Sequence, residues 1–238
     1  MYEPRTYRHS IKDTGLVSFT AVVKETDLYI RAHSDLTAQA LAAIDEYRLP
    51  LEDYIRCHPL FLHSLEPVEV EPDAPPIVKL MAAAALQANV GPMAAVAGAF
   101  AELVGGKLLE HSPEVIVENG GDIFIKTDRK RIIGIYAGDS PLSDKLGIEV
   151  EPVKTPQGIC TSSGTVGPSL SLGLADAVVV LSRSAALADA AATAIGNRVK
   201  SADDITSALE HGQKITGVTG IVIIVGEKLG AWGDVELV

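Results

Sequence analysis

Only two cysteines, Cys57 and Cys160, occur in 238 residues, and no Cys-x-x-Cys is present. That excludes a disulfide framework, and we expect reduced thiols in a cytoplasmic protein. Positive charge is scarce too: 20 Lys and Arg stand against 31 Asp and Glu, a net charge of −11. Non-specific nucleic-acid binding requires clustered cations to neutralise phosphates, so we expect no nucleic-acid partner. The one basic cluster, residues 126–131, reads as a hairpin tip. Aromatics make up 5% of the chain, so Ala and Gly in close backbone contact must fill much of its core.

Several signatures are missing. The opening Met1-Tyr2-Glu3-Pro4-Arg5-Thr6 has no apolar run, so we expect no secretory signal. Residues 80–101 are uncharged and long enough to cross a bilayer. They are rich in alanine, however, and Gly91-Pro92 breaks them in the middle, which predicts two buried helices and no membrane partner. Gly105-Gly106-Lys107 is followed by Leu108, where a P-loop carries Ser or Thr for Mg²⁺. No Gly-x-Gly-x-x-Gly follows a strand, which leaves a Rossmann fold without support. Beyond Cys57-His58 and His63, the six histidines show no zinc-ligand spacing.

What is present is apolar and patterned, with 47% hydrophobic residues and a mean hydropathy of +0.23. Residues 16–23 and 27–33 alternate around Lys24-Glu25-Thr26, predicting a β-hairpin. Ser34 or Asp35 caps a helix reaching about Arg48, which Pro50 interrupts. Residues 68–76 are Pro-rich and extended, and helices follow over about 78–89 and 92–104, the second closed by Gly105-Gly106. Strands are then expected at 114–118, 123–126, 131–137, 146–150, 158–160 and 175–181. Helices at 184–199 and 203–211 come next, and strands at 221–225 and 235–238 close the chain. Runs of helices and strands are segregated, which predicts an α+β fold with an antiparallel or mixed sheet. We read one domain over 1–238, with a hairpin-helix part and Pro-rich connection at 1–76 and the motif-bearing core at 77–238.

Three motifs carry chemistry. Asn119-Gly120-Gly121-Asp122 places paired glycines in a turn that either presents N–H groups to an anion or is an ordinary hairpin turn. Thr161-Ser162-Ser163-Gly164 ends a strand with hydroxyls and a glycine. In Ala188-Asp189-Ala190-Ala191-Ala192-Thr193, Asp189 and Thr193 stand four residues apart on one helix face. These are hard oxygen donors suited to Mg²⁺ and the phosphate it carries; alternatively, both are satisfied by neighbouring backbone in a core helix. Cys160 has no sequence neighbour that would activate it and reads as a small buried residue.

Taken in order, Val117-Glu118-Asn119-Gly120-Gly121-Asp122-Ile123, Ile133-Gly134-Ile135, Thr161-Ser162-Ser163-Gly164 and Ala188 to Ala194 resemble the motifs of the ApbE-like superfamily, the FAD:protein FMN transferases. Ala97-Gly98-Ala99-Phe100-Ala101-Glu102 stands where that family has a Lys-Gly-Tyr-Ala-x-Asp helix. The resemblance implies a T-fold-related α+β architecture and a groove for FAD. Asn119 to Asp122 and Thr161 to Gly164 would bind the cofactor, and Asp189 and Thr193 would hold Mg²⁺ on its pyrophosphate. It leaves open whether the chain forms a homo-oligomer and which protein, if any, is an acceptor.

The departures are specific. The transferases' His-x-x-Asp-Pro-x-Thr-Gly segment is replaced by residues 165–173, which contain no His; Ala97 stands for the Lys and Glu102 for the Asp. The chain therefore resembles a cytosolic branch of the superfamily, found mostly in anaerobic microbes and associated with sulfide assimilation toward homocysteine. Two functions compete at this point: a Mg²⁺-dependent flavin-nucleotide protein of transferase type, and a non-catalytic accessory on the same fold.

Overall fold

The computed structural model describes residues 15–152, 156–166 and 171–238. Eight strands form one sheet in the order β1 (Val17–Val23), β2 (Thr26–Ala32), β3 (Val115–Asn119), β4 (Asp122–Lys126), β7 (Gln157–Ser162), β8 (Ala177–Ser182), β9 (Val218–Val225) and β10 (Lys228–Gly233). Every pair is antiparallel. The helical segments α1 (Thr37–Cys57), α2 (Leu60–His63), α3 (Pro76–Ala88) and α4 (Val96–Leu108) all lie between β2 and β3 in sequence. Helices α5 (Ala185–Gly196) and α6 (Ile205–Gly212) lie between β8 and β9.

The strands read as unbroken apolar runs because both faces of the sheet are covered. Val178, Val180, Ile221 and Ile223 face the helices, together with Ile30, Val117 and Phe124. Their neighbours Val179, Leu181, Val222 and Ile224 face the other way, onto Ile133, Ile148 and Val150 of a separate hairpin, β5 (Arg131–Gly134) and β6 (Gly147–Val150). The result is three layers: helices, sheet, hairpin.

The alanine-rich pair is buried as expected. Helix α3 and the segment 92–108 meet at a bend of 103°, and no single helix among the described residues is long and apolar enough to cross a membrane. The close packing uses missing side chains: a Cβ on Gly98 would lie 2.2 Å from the Ala185 carbonyl oxygen.

Three expectations about elements fail. Helix α1 runs through Pro50 instead of stopping there, because both flanks are anchored. Ile44, Leu51 and Tyr54 are buried, and Arg48 donates to Thr26 Oγ1 at 2.7 Å, which together offset the one backbone bond a proline forfeits. Gly105-Gly106 lies inside α4 instead of capping it; the Phe124 ring occupies the space a Gly105 Cβ would need. The last sheet strand is β10, whereas 235–238 bonds to β6 through Gly147 and Val238 at 2.9 and 3.0 Å. Its exposed, Gly-containing sequence hides β10 from periodicity arguments.

Candidate functional site

Helices α4 and α5 cross near their first turns, and each supplies an acid that caps the other. Asp189 Oδ2 accepts the Gly98 N–H of α4 at 2.9 Å. Glu102 Oε2 accepts the Ser184 hydroxyl at 2.7 Å and the Ala186 N–H at 3.1 Å at the start of α5. A carboxylate at a helix N-terminus meets otherwise unsatisfied N–H groups and the positive end of the dipole. Ser184 also caps its own helix by accepting from Leu187 N–H.

The β3–β4 turn docks on this crossing. Asn119 Nδ2 donates to the Ala97 carbonyl at 3.1 Å, tying the turn to the start of α4. Gly120 and Gly121 have φ of +67° and +103°, so a two-residue turn of this hand demands glycine on backbone grounds alone. The Gly121 N–H is already spent on Glu118 Oε1 at 2.9 Å. Thr161 lies against the same turn: a Cβ on Gly121 would stand 3.9 Å from the Thr161 carbonyl oxygen.

Asp122 opens β4 beside Asp189. Burial, then the charge of Asp189, pushes Asp122 well above the ordinary carboxylate range, against the pull of the Cys160 thiol and the Thr161 N–H. Burial likewise pushes Asp189 up to about 7, although the Gly98 and Ala97 N–H groups pull it down. Among the described residues neither carboxylate has a Lys or Arg partner within ion-pair distance. Two desolvated acids without a counter-charge need either a proton or a cation. Cys160, between them and Ala185, donates to the Ala185 carbonyl at 3.3 Å. Burial and both carboxylates raise its thiol well above its usual range, so it is no nucleophile.

The sequence-predicted residues therefore separate into two groups. Asn119, Gly120, Gly121, Asp122, Thr161 and Asp189 gather at the α4–α5 crossing. Thr193 is half-buried one turn further along α5, and its hydroxyl makes no hydrogen bond among the described residues. Ser162 packs toward Gly196 in the last turn of α5, its Oγ 3.5 Å from where a Gly196 Cβ would lie. Ser163 and Gly164 are occupied in their own turn: Ser163 Oγ accepts from Thr165 and Val166 N–H, and Gly164 N–H donates to Ala175. The replacement segment 165–173 extends beyond the described residues at 167–170.

Asp189, Thr193 and Asp122 offer hard oxygen donors, the type a divalent cation such as Mg²⁺ takes. The fit to phosphate is narrower than the motifs suggest. The Gly121 and Gly164 N–H groups that sequence assigns to a ligand are committed internally, which leaves hydroxyls and a metal to meet a phosphate. Glu118 and Glu102 carry structural roles, bonding the Gly121 N–H and capping α5, that their places in the motifs did not reveal; for Glu118, an acid inside the apolar strand Val115–Asn119 was the available signal. One cavity of about 430 Å³ lies away from the crossing, beside Tyr54 and His58. A second of the same volume borders the crossing, lined by Glu102, Ser184 and Leu187 at the start of α5.

A family model described as AbpE bacteria matches residues 8–237. The chain belongs to this family. A UPF0280 protein of Methanococcus maripaludis is 46% identical over 219 residues, covering 90% of this chain and 89% of its own. A UPF0280 protein of Methanocaldococcus jannaschii is 45% identical over 224 residues, with 91% of each chain covered. Among solved structures, the apo flavinyl transferase ApbE of Pseudomonas stutzeri matches 92% of this chain and 94% of its own, with a TM-score of 0.59 at 13% identity. The ApbE protein of Thermotoga maritima matches 90% and 96%, with a TM-score of 0.55 at 14% identity. The ApbE-like fold expected from the ordered motifs is therefore the fold of this chain, with an antiparallel sheet.

Proposed function

We propose that this ApbE-like protein binds FAD or a related pyrophosphate-linked nucleotide, with Mg²⁺, at the α4–α5 crossing, and that it works in the cytoplasm. One observation carries the reading: Asp122 and Asp189 are desolvated together with no basic partner among the described residues, and the unbonded Thr193 hydroxyl is one helical turn away. Asp189 Oδ1 and Thr193 Oγ1 would hold the cation, with Asp122 beside them. The cation, when bound, supplies charge neutralisation for a pyrophosphate. The hydroxyls of Thr161, Ser162 and Ser163 would orient the ligand, and Asn119 fixes the turn against α4.

Transfer of FMN to a protein hydroxyl is expected to be weak or absent. Residues 165–173 supply only Thr and Ser hydroxyls where the transferases place His and Asp, so no general base stands there. A thermal-shift panel of FAD, FMN, ATP and NAD with and without Mg²⁺ tests the reading. A ligand at 100 times its Kd adds about 2.7 kcal/mol of stability. No Mg²⁺-dependent shift with any nucleotide would overturn it, and robust flavinylation of an acceptor peptide would overturn the expected lack of transfer.

A second reading, a non-catalytic accessory protein on the same fold, is favoured by the reciprocal caps. Asp189 and Glu102 each have a structural task whether or not a ligand binds. Flavin absorbance in the protein as isolated would favour the first reading over this one.

A further inference from the structure

The β3–β4 hairpin has a second cluster at the end opposite its turn, where the chain enters β3 and leaves β4. Glu114 is fully buried there. Its Oε1 accepts from Arg131 Nε and Nη2 at 2.9 and 2.6 Å and from Thr127 Oγ1 at 2.5 Å. Its Oε2 is equally desolvated and has no hydrogen-bond donor among the described residues. A buried carboxylate oxygen left this way is costly and calls for an explanation. His33 Nε2 lies 3.7 Å and Arg129 Nε 4.0 Å from this oxygen, both beyond hydrogen-bond distance. One ligand atom each from His33, Glu114 and Asp128 lies within 4.8 Å of the others.

We propose that His33, Glu114 and Asp128 form a divalent transition-metal site, best suited to Zn²⁺ and separate from the nucleotide groove. One imidazole and two carboxylates are a borderline donor set of the kind zinc accepts, with a water completing four-coordination. With zinc bonds of about 2.0–2.2 Å, two ligand atoms on a tetrahedral ion stand about 3.4 Å apart, close to the His33–Glu114 separation of 3.7 Å. The support is already built. Ser112 Oγ accepts the His33 N–H at 3.2 Å and donates to the Glu114 carbonyl at 2.6 Å, pinning the two ligand-bearing segments together. Arg131 and Thr127 hold Oε1 and so orient Oε2, as outer partners orient a metal ligand. His33 and Asp128 are 45% and 52% exposed, which leaves both free to close on an ion. Arg129 bonds Asp128 Oδ1 at 3.3 Å and is 60% exposed; it competes with the metal and must swing out.

Calorimetric titration of the full chain with Zn²⁺ alone tests this. Wild type should bind one ion that His33→Ala and Asp128→Asn each weaken at least tenfold. Arg129→Gln should tighten binding, which a purely structural ion-pair cluster does not predict. Both weakened variants change exposed side chains, and melting curves confirm their folding; Glu114→Gln is avoided because it would unpair Arg131. Co²⁺ in place of Zn²⁺ should give a visible spectrum that changes in His33→Ala. Absence of zinc uptake by wild type, or uptake unchanged in both weakened variants, would overturn the proposal. Nucleotide-induced shifts should be the same in all three variants, so failure here is distinguishable from failure of the groove.

Discussion

Replacing Asp189 by Asn keeps an oxygen acceptor for the Gly98 N–H while removing the charge. In the wild type, burial raises Asp189 from an ordinary 3.8 to about 7. That difference is worth roughly 4 kcal/mol at most, because each pKa unit is about 1.4 kcal/mol. Asp189 keeps some solvent contact, which trims the figure. The sign follows from proton counting. Between about pH 4 and 7 the folded chain holds a proton on Asp189 that the unfolded chain has released. Without metal, the Asp189 contribution to stability is therefore most favourable in acid, falls as pH rises through that window by up to about 1.4 kcal/mol per pH unit, and levels off above it. Asp122, also raised, adds a slope of the same sign.

Urea melts in EDTA at pH 5, 6, 7 and 8 read this directly. Asp189→Asn should flatten the slope by about one proton and equal or exceed wild type at pH 8. It should also lose Mg²⁺-dependent nucleotide binding. Asp189→Ala, which additionally leaves the Gly98 N–H unsatisfied, should cost about 1–3 kcal/mol at pH 5. A slope unchanged in Asp189→Asn would refute the claim that this carboxylate is held desolvated without a counter-charge.

Gly98→Ala should destabilise by about 1–3 kcal/mol or more in thermal melts, since its Cβ would meet the Ala185 carbonyl at 2.2 Å and the helices must part. Gly121→Val should lower stability by about 1–3 kcal/mol even without ligand, because φ of +103° strains a β-branched residue; equal melting of variant and wild type would contradict this. Thr193→Val keeps the shape and removes an oxygen with no protein partner among the described residues, so calorimetry should find weaker Mg²⁺-dependent nucleotide binding at unchanged stability.

Much of the fold was legible because period and burial agree. The alternation in residues 16–23 and 27–33 gave the hairpin, and Ala-rich, uncharged segments gave helices that pack backbone to backbone. Two of the three errors share one cause, a local breaker taken as a helix end. Pro50 and Gly105 sit inside helices because contacts distant in sequence, from Thr26 to Arg48 and from Phe124 to Gly105, overrule local preference. The sheet's order was not legible, since β5 and β6 are strands of the same type that belong to another layer.

The site was legible as types and spacing but not as partnerships. Asp189 and Thr193 could be put on one face from the helical repeat alone, yet nothing local says that Asp189 reaches Gly98, 91 residues away, or that Asp122 lies beside it. The glycines mislead in the opposite direction. Gly120 and Gly121 look like an anion nest in sequence, whereas their φ values and the Glu118 bond account for both as a turn. Phosphate binding at this site, as proposed, would thus rest on oxygen donors and a cation. The same cap that makes Asp189 a good structural residue takes one of its oxygens, so in the proposed site Oδ1, Thr193 and Asp122 would hold the ion. That shell is too sparse to bind Mg²⁺ tightly alone, because Mg²⁺ keeps several waters or takes phosphate oxygens to complete its octahedron. Metal and nucleotide should therefore bind together, each raising the affinity of the other by the same factor.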